Sequence, residues 1–258
     1  MLLVLGACAE QRNLESDMRI QPPKETKKPI RTFDLSLVGL GDSLTEGVGD
    51  SSELKGYINR LPSFLEKNEA IESVTVSNHA KKGRTSQQLL HQLQTNEEMR
   101  QAVREADIIA LTIGGNDIMA IMRKHLLQLS KTHFDQDLPA FKNRLETIFE
   151  VLETLNPHAK IVLTGIYNPA QLVIDEQNEF SEVILEWNSS MQSVIAEKPD
   201  KRLFVEIEDI TYSSNPEVYA EDYFHPNPSG YQWIAEQWQA QFLDWMNESE
   251  APEWWNQQ

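Results

Sequence analysis

The chain has 258 residues, 40% of them apolar and 24% charged, enough to bury a core of its own. Lys and Arg number 23 against 40 Asp and Glu, a formal charge of −17 that excludes nucleic acid as a partner and excludes attraction to anionic lipid by net charge alone. The single cysteine excludes an intramolecular disulfide and a zinc site built on several thiolates, and no apolar run is long enough for a membrane-spanning helix.

Residues 1–8, MLLVLGAC, place an apolar run and then Gly6 and Ala7 ahead of Cys8. Small residues before a cysteine at the end of an apolar run resemble the lipobox of a bacterial lipoprotein signal. The resemblance implies that Cys8 is lipidated and becomes the N-terminus of an extracytoplasmic, membrane-anchored protein. The stretch is shorter than a full signal of about 15–30 residues and has no basic residue, so the expectation is a truncated signal. The alternative is an apolar N-terminal segment with a buried thiol. Residues 9–32 are polar, contain Pro22, Pro23 and Pro29, and read as an extended linker.

From residue 33 short apolar, β-branched runs recur at 33–40, 73–78, 107–115, 159–166 and 202–208, each of strand length. Helical periodicity fills the intervals. Over 138–155, Leu138, Phe141, Leu145, Ile148, Phe149, Leu152 and Leu155 fall at three- and four-residue steps, and Asn156–Pro157 ends the pattern. Residues 180–195 repeat it with Phe180, Ile184, Trp187, Met191 and Val194. Residues 229–246 align Tyr231, Ile234, Ala235, Trp238, Phe242, Trp245 and Met246 as core, with Trp233 off that face. Five strands alternating with helices predict an α/β fold with a parallel sheet covered on both faces. One domain spans 33–247, and 248–258 is a polar tail holding Trp254 and Trp255.

Ligands of such sheets bind beyond the carboxyl ends of the strands, so the loops after the strands are the candidate site. The first carries Gly41-Asp42-Ser43-Leu44-Thr45-Glu46-Gly47, the second Asn78 to Ser86 with Gly83, and the third Gly114-Gly115-Asn116-Asp117. The last carries Asp222-Tyr223-Phe224-His225-Pro226. A serine hydroxyl needs a neighbouring imidazole to take its proton, and the imidazole needs a carboxylate to fix its tautomer. Asp222 and His225, three apart, suit that pairing. A tetrahedral intermediate needs preorganised donors, which the Ser43 and Gly83 amides and the Asn116 side chain can supply.

GDSLTEG at 41–47, Gly83 before Arg-Thr-Ser, Gly115-Asn116-Asp117, and Asp222-x-x-His225-Pro226 together resemble the four blocks of the GDSL, or SGNH, hydrolases. The resemblance spans about residues 36–232. It implies Ser43 as nucleophile, His225 as base and then acid, and Asp222 as the group that orients it. Ser43, Gly83 and Asn116 would form the oxyanion hole. The implied fold is a flavodoxin-like three-layer α/β/α sandwich with a five-stranded parallel sheet, and no metal or organic cofactor is implied. Lys81, Lys82 and Arg84 depart from the family's usual second block and read as solvated charge. Gly39-x-Gly41 lacks the third glycine of a dinucleotide fingerprint, with Leu44 in its place, and there is no G-x-S-x-G elbow.

Ile118, Met119, Ile121, Met122, Leu126 and Leu127 read equally as an acyl pocket or as a helix face packed on the sheet. Tyr167-Asn168-Pro169, after the fourth strand, also belongs to the active edge. The expected partner is a small-molecule or lipid ester, cleaved through an acyl-enzyme on Ser43. The alternatives are O-acetyl groups of a cell-wall or other polysaccharide, or a non-catalytic envelope lipoprotein that binds lipid or carbohydrate.

Overall fold

The computed structural model describes residues 31–168, 179–210 and 216–255. Cys8 and the segment expected as signal, nearly all of the expected linker, and Pro169 lie outside them. The five expected strands form as β1 (Phe33–Gly41), β2 (Ile71–Asn78), β3 (Ile108–Thr112), β4 (Lys160–Thr164) and β5 (Arg202–Val205). All pair parallel, in the order β2-β1-β3-β4-β5. β3 and β4 are buried at every residue, as central strands covered on both faces must be. β2, at the edge, buries only Ile71.

Eight helices flank the sheet among the described residues: α1 (Ser43–Glu46), α2 (Pro62–Leu65), α3 (Ser86–Thr95), α4 (Glu97–Glu105), α5 (Gly115–Lys124), α6 (Lys131–Leu155), α7 (Glu179–Ile195) and α8 (Pro228–Glu248). Helices α3 to α7 close one face around Leu111, Ile161, Phe141, Phe149 and Trp187. Helices α1, α2 and α8 close the other around Leu37, Val162, Tyr57, Tyr231, Trp238 and Phe242. Strand alternation feeds both layers, because Ile109 and Leu111 face one cluster while Ile108 and Ala110 face the other.

The strands differ from their expected bounds by up to three residues at an end, and two larger differences stand out. The helix expected from residue 138 starts at Lys131 and runs through Pro139. The apolar spacing is regular only from Leu138 onward, and Pro139 lies inside the helix. Ser130 and His133 cap the true start. The tail expected from residue 248 is not wholly polar. Trp254 and Trp255 are buried beside Phe242, and Lys160 Nζ holds the turn by donating to the Glu250 carbonyl at 2.9 Å.

The chain leaves β1 to one side for β2 and crosses back to β3 on the other. That switch opens a crevice at the carboxyl ends of β1 and β3. Ser43 follows one strand and Asn116 the other.

Candidate active site

Glycine sets the first turn. Gly41 has φ +109°, and a Cβ there would lie 1.8 Å from the Thr112 carbonyl oxygen on β3. Asp42 then caps the short α1, accepting from the Leu44 amide at 3.1 Å and from Thr112 Oγ1 at 2.7 Å. Thr45 N donates to the same threonine hydroxyl at 3.2 Å. Thr112 thereby locks Ser43 at the first position of α1, where amide groups have no intrahelical acceptor. Burial pushes the Asp42 carboxyl up, against the lowering effect of the Thr112 and Leu44 hydrogen bonds.

The histidine loop is fixed from several sides. Asp222 Oδ1 accepts from the Phe224 and His225 amides at 3.1 and 2.9 Å. Tyr167 Oη donates to the Phe224 carbonyl at 2.6 Å, and burial keeps that phenol protonated. Tyr231 Oη, from α8, donates to the Val48 carbonyl at 2.7 Å and ties that helix to the loop after Ser43. Asn227 caps α8 through the Ser229 and Gly230 amides.

These loops bring Ser43, His225 and Asp222 into one line. His225 Nε2 lies 3.0 Å from Ser43 Oγ, and His225 Nδ1 lies 2.6 Å from Asp222 Oδ2. Ser43 and His225 are buried, while the Asp222 side chain is 46% exposed. Partial burial pushes the Asp222 carboxyl up, but the hydrogen bonds from His225 and the two amides outweigh it and hold it below the usual range. Asp222 is therefore ionised at neutral pH.

Asn116, near the start of α5, shares the Ser43 cleft, and its side-chain amide makes no hydrogen bond among the described residues. Gly83 has φ +81° and open space where a Cβ would be. It lines a different cleft with Lys81, Lys82, Arg84, Gln88 and Gln92. Its loop is strapped to the serine turn, since Lys81 N donates to the Gly41 carbonyl at 3.0 Å and Lys82 N donates to the Glu46 carboxylate. The structure thus joins Ser43, Asn116 and His225 at one cleft, with Asp222 behind His225 and Gly83 on the adjoining loop.

A clamp joins the Gly83 and Asn116 loops. Buried Asp117 accepts from Ser86 N at 2.8 Å and Ser86 Oγ at 2.6 Å, and pairs with Arg144 of α6 at 3.4 Å. Arg144 Nε also donates to Ser86 Oγ at 2.8 Å. Burial pushes the Asp117 carboxyl up, against these partners. In the sequence Asp117 was visible only as part of a motif. Nothing at Arg144 or Thr112 marked either residue, because the partners of both are distant in the chain.

The cleft is walled by Leu44, Ile113, Ile166, Tyr167 and Phe224. The segment after Asn116 does not supply that wall. Ile118 and Ile121 are buried in the core, Met122 packs against it, and Leu126 and Leu127 are exposed. Strand ends and the histidine loop line the pocket because they, unlike the outer turns of α5, face the switch point. No metal-binding group of His, Cys, Asp and Glu occurs among the described residues.

A hydroxyl, an imidazole and a carboxylate aligned at the carboxyl edge of a 2-1-3-4-5 parallel sheet define an ester hydrolase of the three-layer α/β class. Residues 40–233 match the GDSL-like lipase/acylhydrolase family, and the chain belongs to it. The protein is a carboxylic ester hydrolase, which replaces the non-catalytic alternative.

The chain is 34% identical over 238 residues to an uncharacterised Bacillus subtilis protein, YpmR, covering 91% of this chain and 90% of the relative. It is 28% identical over 142 residues to the spore germination lipase LipC of Bacillus licheniformis, covering 52% of this chain and 65% of that lipase. Among solved structures, a lipase from a goat rumen metagenome aligns with TM-score 0.67 at 21% identity, over 80% of this chain and 96% of its own. An acetyl-xylooligosaccharide esterase of Geobacillus aligns with TM-score 0.59 at 19% identity, over 82% of this chain and 95% of its own. These structural likenesses concern the fold.

Proposed function

We propose that the protein cleaves carboxylic esters of lipid-like acyl groups through an acyl-enzyme on Ser43. The observation that carries this is the Ser43–His225–Asp222 line at the floor of an apolar cleft that also presents the unpaired Asn116 amide. His225 takes the Ser43 proton as Oγ attacks the ester carbonyl. Asp222 holds the imidazole through Nδ1 and stabilises its charged form. The Asn116 side chain and the Ser43 and Gly83 amides receive the developing oxyanion. His225 then protonates the leaving alcohol, and water repeats the sequence to release the acid.

Five apolar or aromatic side chains around Ser43 favour an acyl chain over a polar substituent. A second reading, cleavage of O-acetyl groups on a polysaccharide, is favoured by Tyr223. This residue is 72% exposed at φ +53° beside Asp222, a flat face of the kind that stacks on sugar rings. The location that goes with either reading is the cell envelope, with attachment through lipidated Cys8.

The test is hydrolysis of p-nitrophenyl esters from acetyl to palmitoyl. Maximal kcat/KM at chains longer than acetyl supports the lipid reading. Activity confined to acetyl supports the polysaccharide one. Intact-mass analysis of membrane-extracted protein tests Cys8, where a free thiol on a full-length chain would refute lipidation.

A further inference from the structure

The turn between α5 and α6 is unlike the rest of the surface. Leu126, Leu127 and Leu129 are 75%, 96% and 38% exposed, three of the six large exposed hydrophobics among the described residues. Such side chains grouped at one tip point to a contact, whereas scattered singly they would not. The turn itself is free of acids, with Asp135, Asp137 and Glu186 set at its base beside Lys131 and His125. Residues 118–134 hold Arg123, Lys124 and Lys131 and no acid, in a protein with 40 Asp and Glu. Lys131 is paired with Asp135 and Glu186, but Arg123 and Lys124 make no ion pair among the described residues.

The tip stands on the cleft side of the sheet. Arg144 of α6 lies level with the Asp117–Ser86 clamp at the carboxyl edge. At about 1.5 Å per residue, Lys131 is carried about 20 Å beyond that edge. α5 rises beside it from Asn116, and the stacked rings of His125 and His133, 3.8 Å apart, join the two helices near the top. The arm thus has the Ser43 cleft at its foot and three leucines among cations at its crown.

We infer that this α5–α6 tip docks the protein onto anionic lipid bilayers, inserting Leu126 and Leu127 while Arg123 and Lys124 meet the lipid phosphates. Apolar side chains entering the interface and cations meeting anionic headgroups act together in such contacts. The net charge of −17 opposes approach over the rest of the surface, which restricts docking to this pole and turns the cleft side toward the lipid. No helix among the described residues is long and apolar enough to cross a membrane, and none is needed for a contact of this kind. The inference goes beyond the proposed reaction, since it is read by binding without turnover.

The experiment is co-sedimentation of the full chain, carrying Cys8→Ser throughout, with phosphatidylcholine vesicles containing either 40% or no phosphatidylglycerol. Turnover of p-nitrophenyl acetate is followed in parallel. The parent should bind the anionic vesicles and release as salt is raised. Leu126→Ser/Leu127→Ser should weaken binding at least tenfold with acetate turnover unchanged. Arg123→Gln/Lys124→Gln should weaken it about tenfold and remove the preference for anionic lipid. Absence of binding by the parent, or equal binding by the leucine variant, overturns the inference, whatever the turnover assay shows. It is also overturned if the leucine variant converts a sedimenting dimer to monomer, since the tip would then be a self-association surface. Loss of acetate turnover in the parent with intact vesicle binding would instead count against the proposed reaction alone.

Discussion

Replacing Asp117 with Asn tests whether the clamp positions the oxyanion donors. The carboxylate accepts from Ser86 N, Ser86 Oγ and Arg144, three donors on two oxygens. An amide offers one oxygen, and its NH2 must face the Ser86 amide or the guanidinium, both of which are donors. Ser86 is fully buried, so the hydrogen bond lost there is not replaced by water. The Arg144 side chain is 27% exposed and recovers part of its solvation.

With hydrogen bonds to charged groups worth about 1.5–3 kcal/mol each, losing one fully and another in part gives about 3 kcal/mol. At a urea slope of about 3 kcal/mol per molar, the midpoint falls by about 1 M. The consequence for activity is separate. Freed from Asp117, the Gly83 loop and the start of α5 shift relative to Ser43. A displacement of about 1 Å lowers kcat by roughly 10²-fold, with KM for a short ester little changed. Urea melts and steady-state turnover of p-nitrophenyl acetate measure both. Wild-type kcat in a variant with the expected loss of stability would show that the clamp is structural only. An unchanged midpoint would refute the energetic reasoning itself.

Asn116→Ala removes one oxyanion donor and should lower kcat by about 10²–10³ without loss of stability; an unchanged kcat removes Asn116 from that role. Tyr167→Phe deletes the hydrogen bond to the Phe224 carbonyl, and kcat should fall about three- to tenfold as the histidine loop loosens, with a loss of stability of about 1–2 kcal/mol. Asp50 and Arg60 form a buried pair at 2.6 Å. Burial pushes the Asp50 carboxyl up, but Arg60, Ser52 and the Gly56 amide outweigh it and lower it to about 2. The stability this adds is full above about pH 4 and is lost as pH falls through about 2. Arg60→Met should cost about 3–5 kcal/mol at pH 7 and much less at pH 2, as read from thermal melts. Asp222, also depressed, stays charged on mild acidification. Asp222→Asn should lower kcat and cost a modest amount of stability at pH 7, a loss that fades as pH falls below the usual aspartate range, as read from thermal melts.

The sheet was legible because its strands are near-continuous apolar runs bounded by polar loops, a pattern set by local residue order. The site was legible for the same reason. Ser43 and Asn116 each sit in a short block at a strand end, and Asp222 and His225 form a short block of their own in the loop that leads into α8. What stayed hidden depends on contacts across the fold. Thr112 ends a strand and reads only as β-branched, yet its hydroxyl fixes the serine turn. Arg144 lies on an ordinary amphipathic helix, and its partners are 27 and 58 residues away. Trp254 and Trp255 sit in a polar stretch with no periodicity, so their burial against Phe242 had no local signal. The pocket wall was left undecided for a related reason. Apolar spacing after Asn116 shows which residues leave water, but not whether they face the core, the cleft or the outside.

The central claim is that Ser43 carries the acyl group. It is tested by treating the protein with a fluorophosphonate ester and locating the adduct by peptide mass spectrometry. The account expects one equivalent on Ser43, none with Ser43→Ala, and much slower labelling with His225→Ala. Labelling of another residue, or ester hydrolysis that persists at wild-type rate in Ser43→Ala, would contradict it.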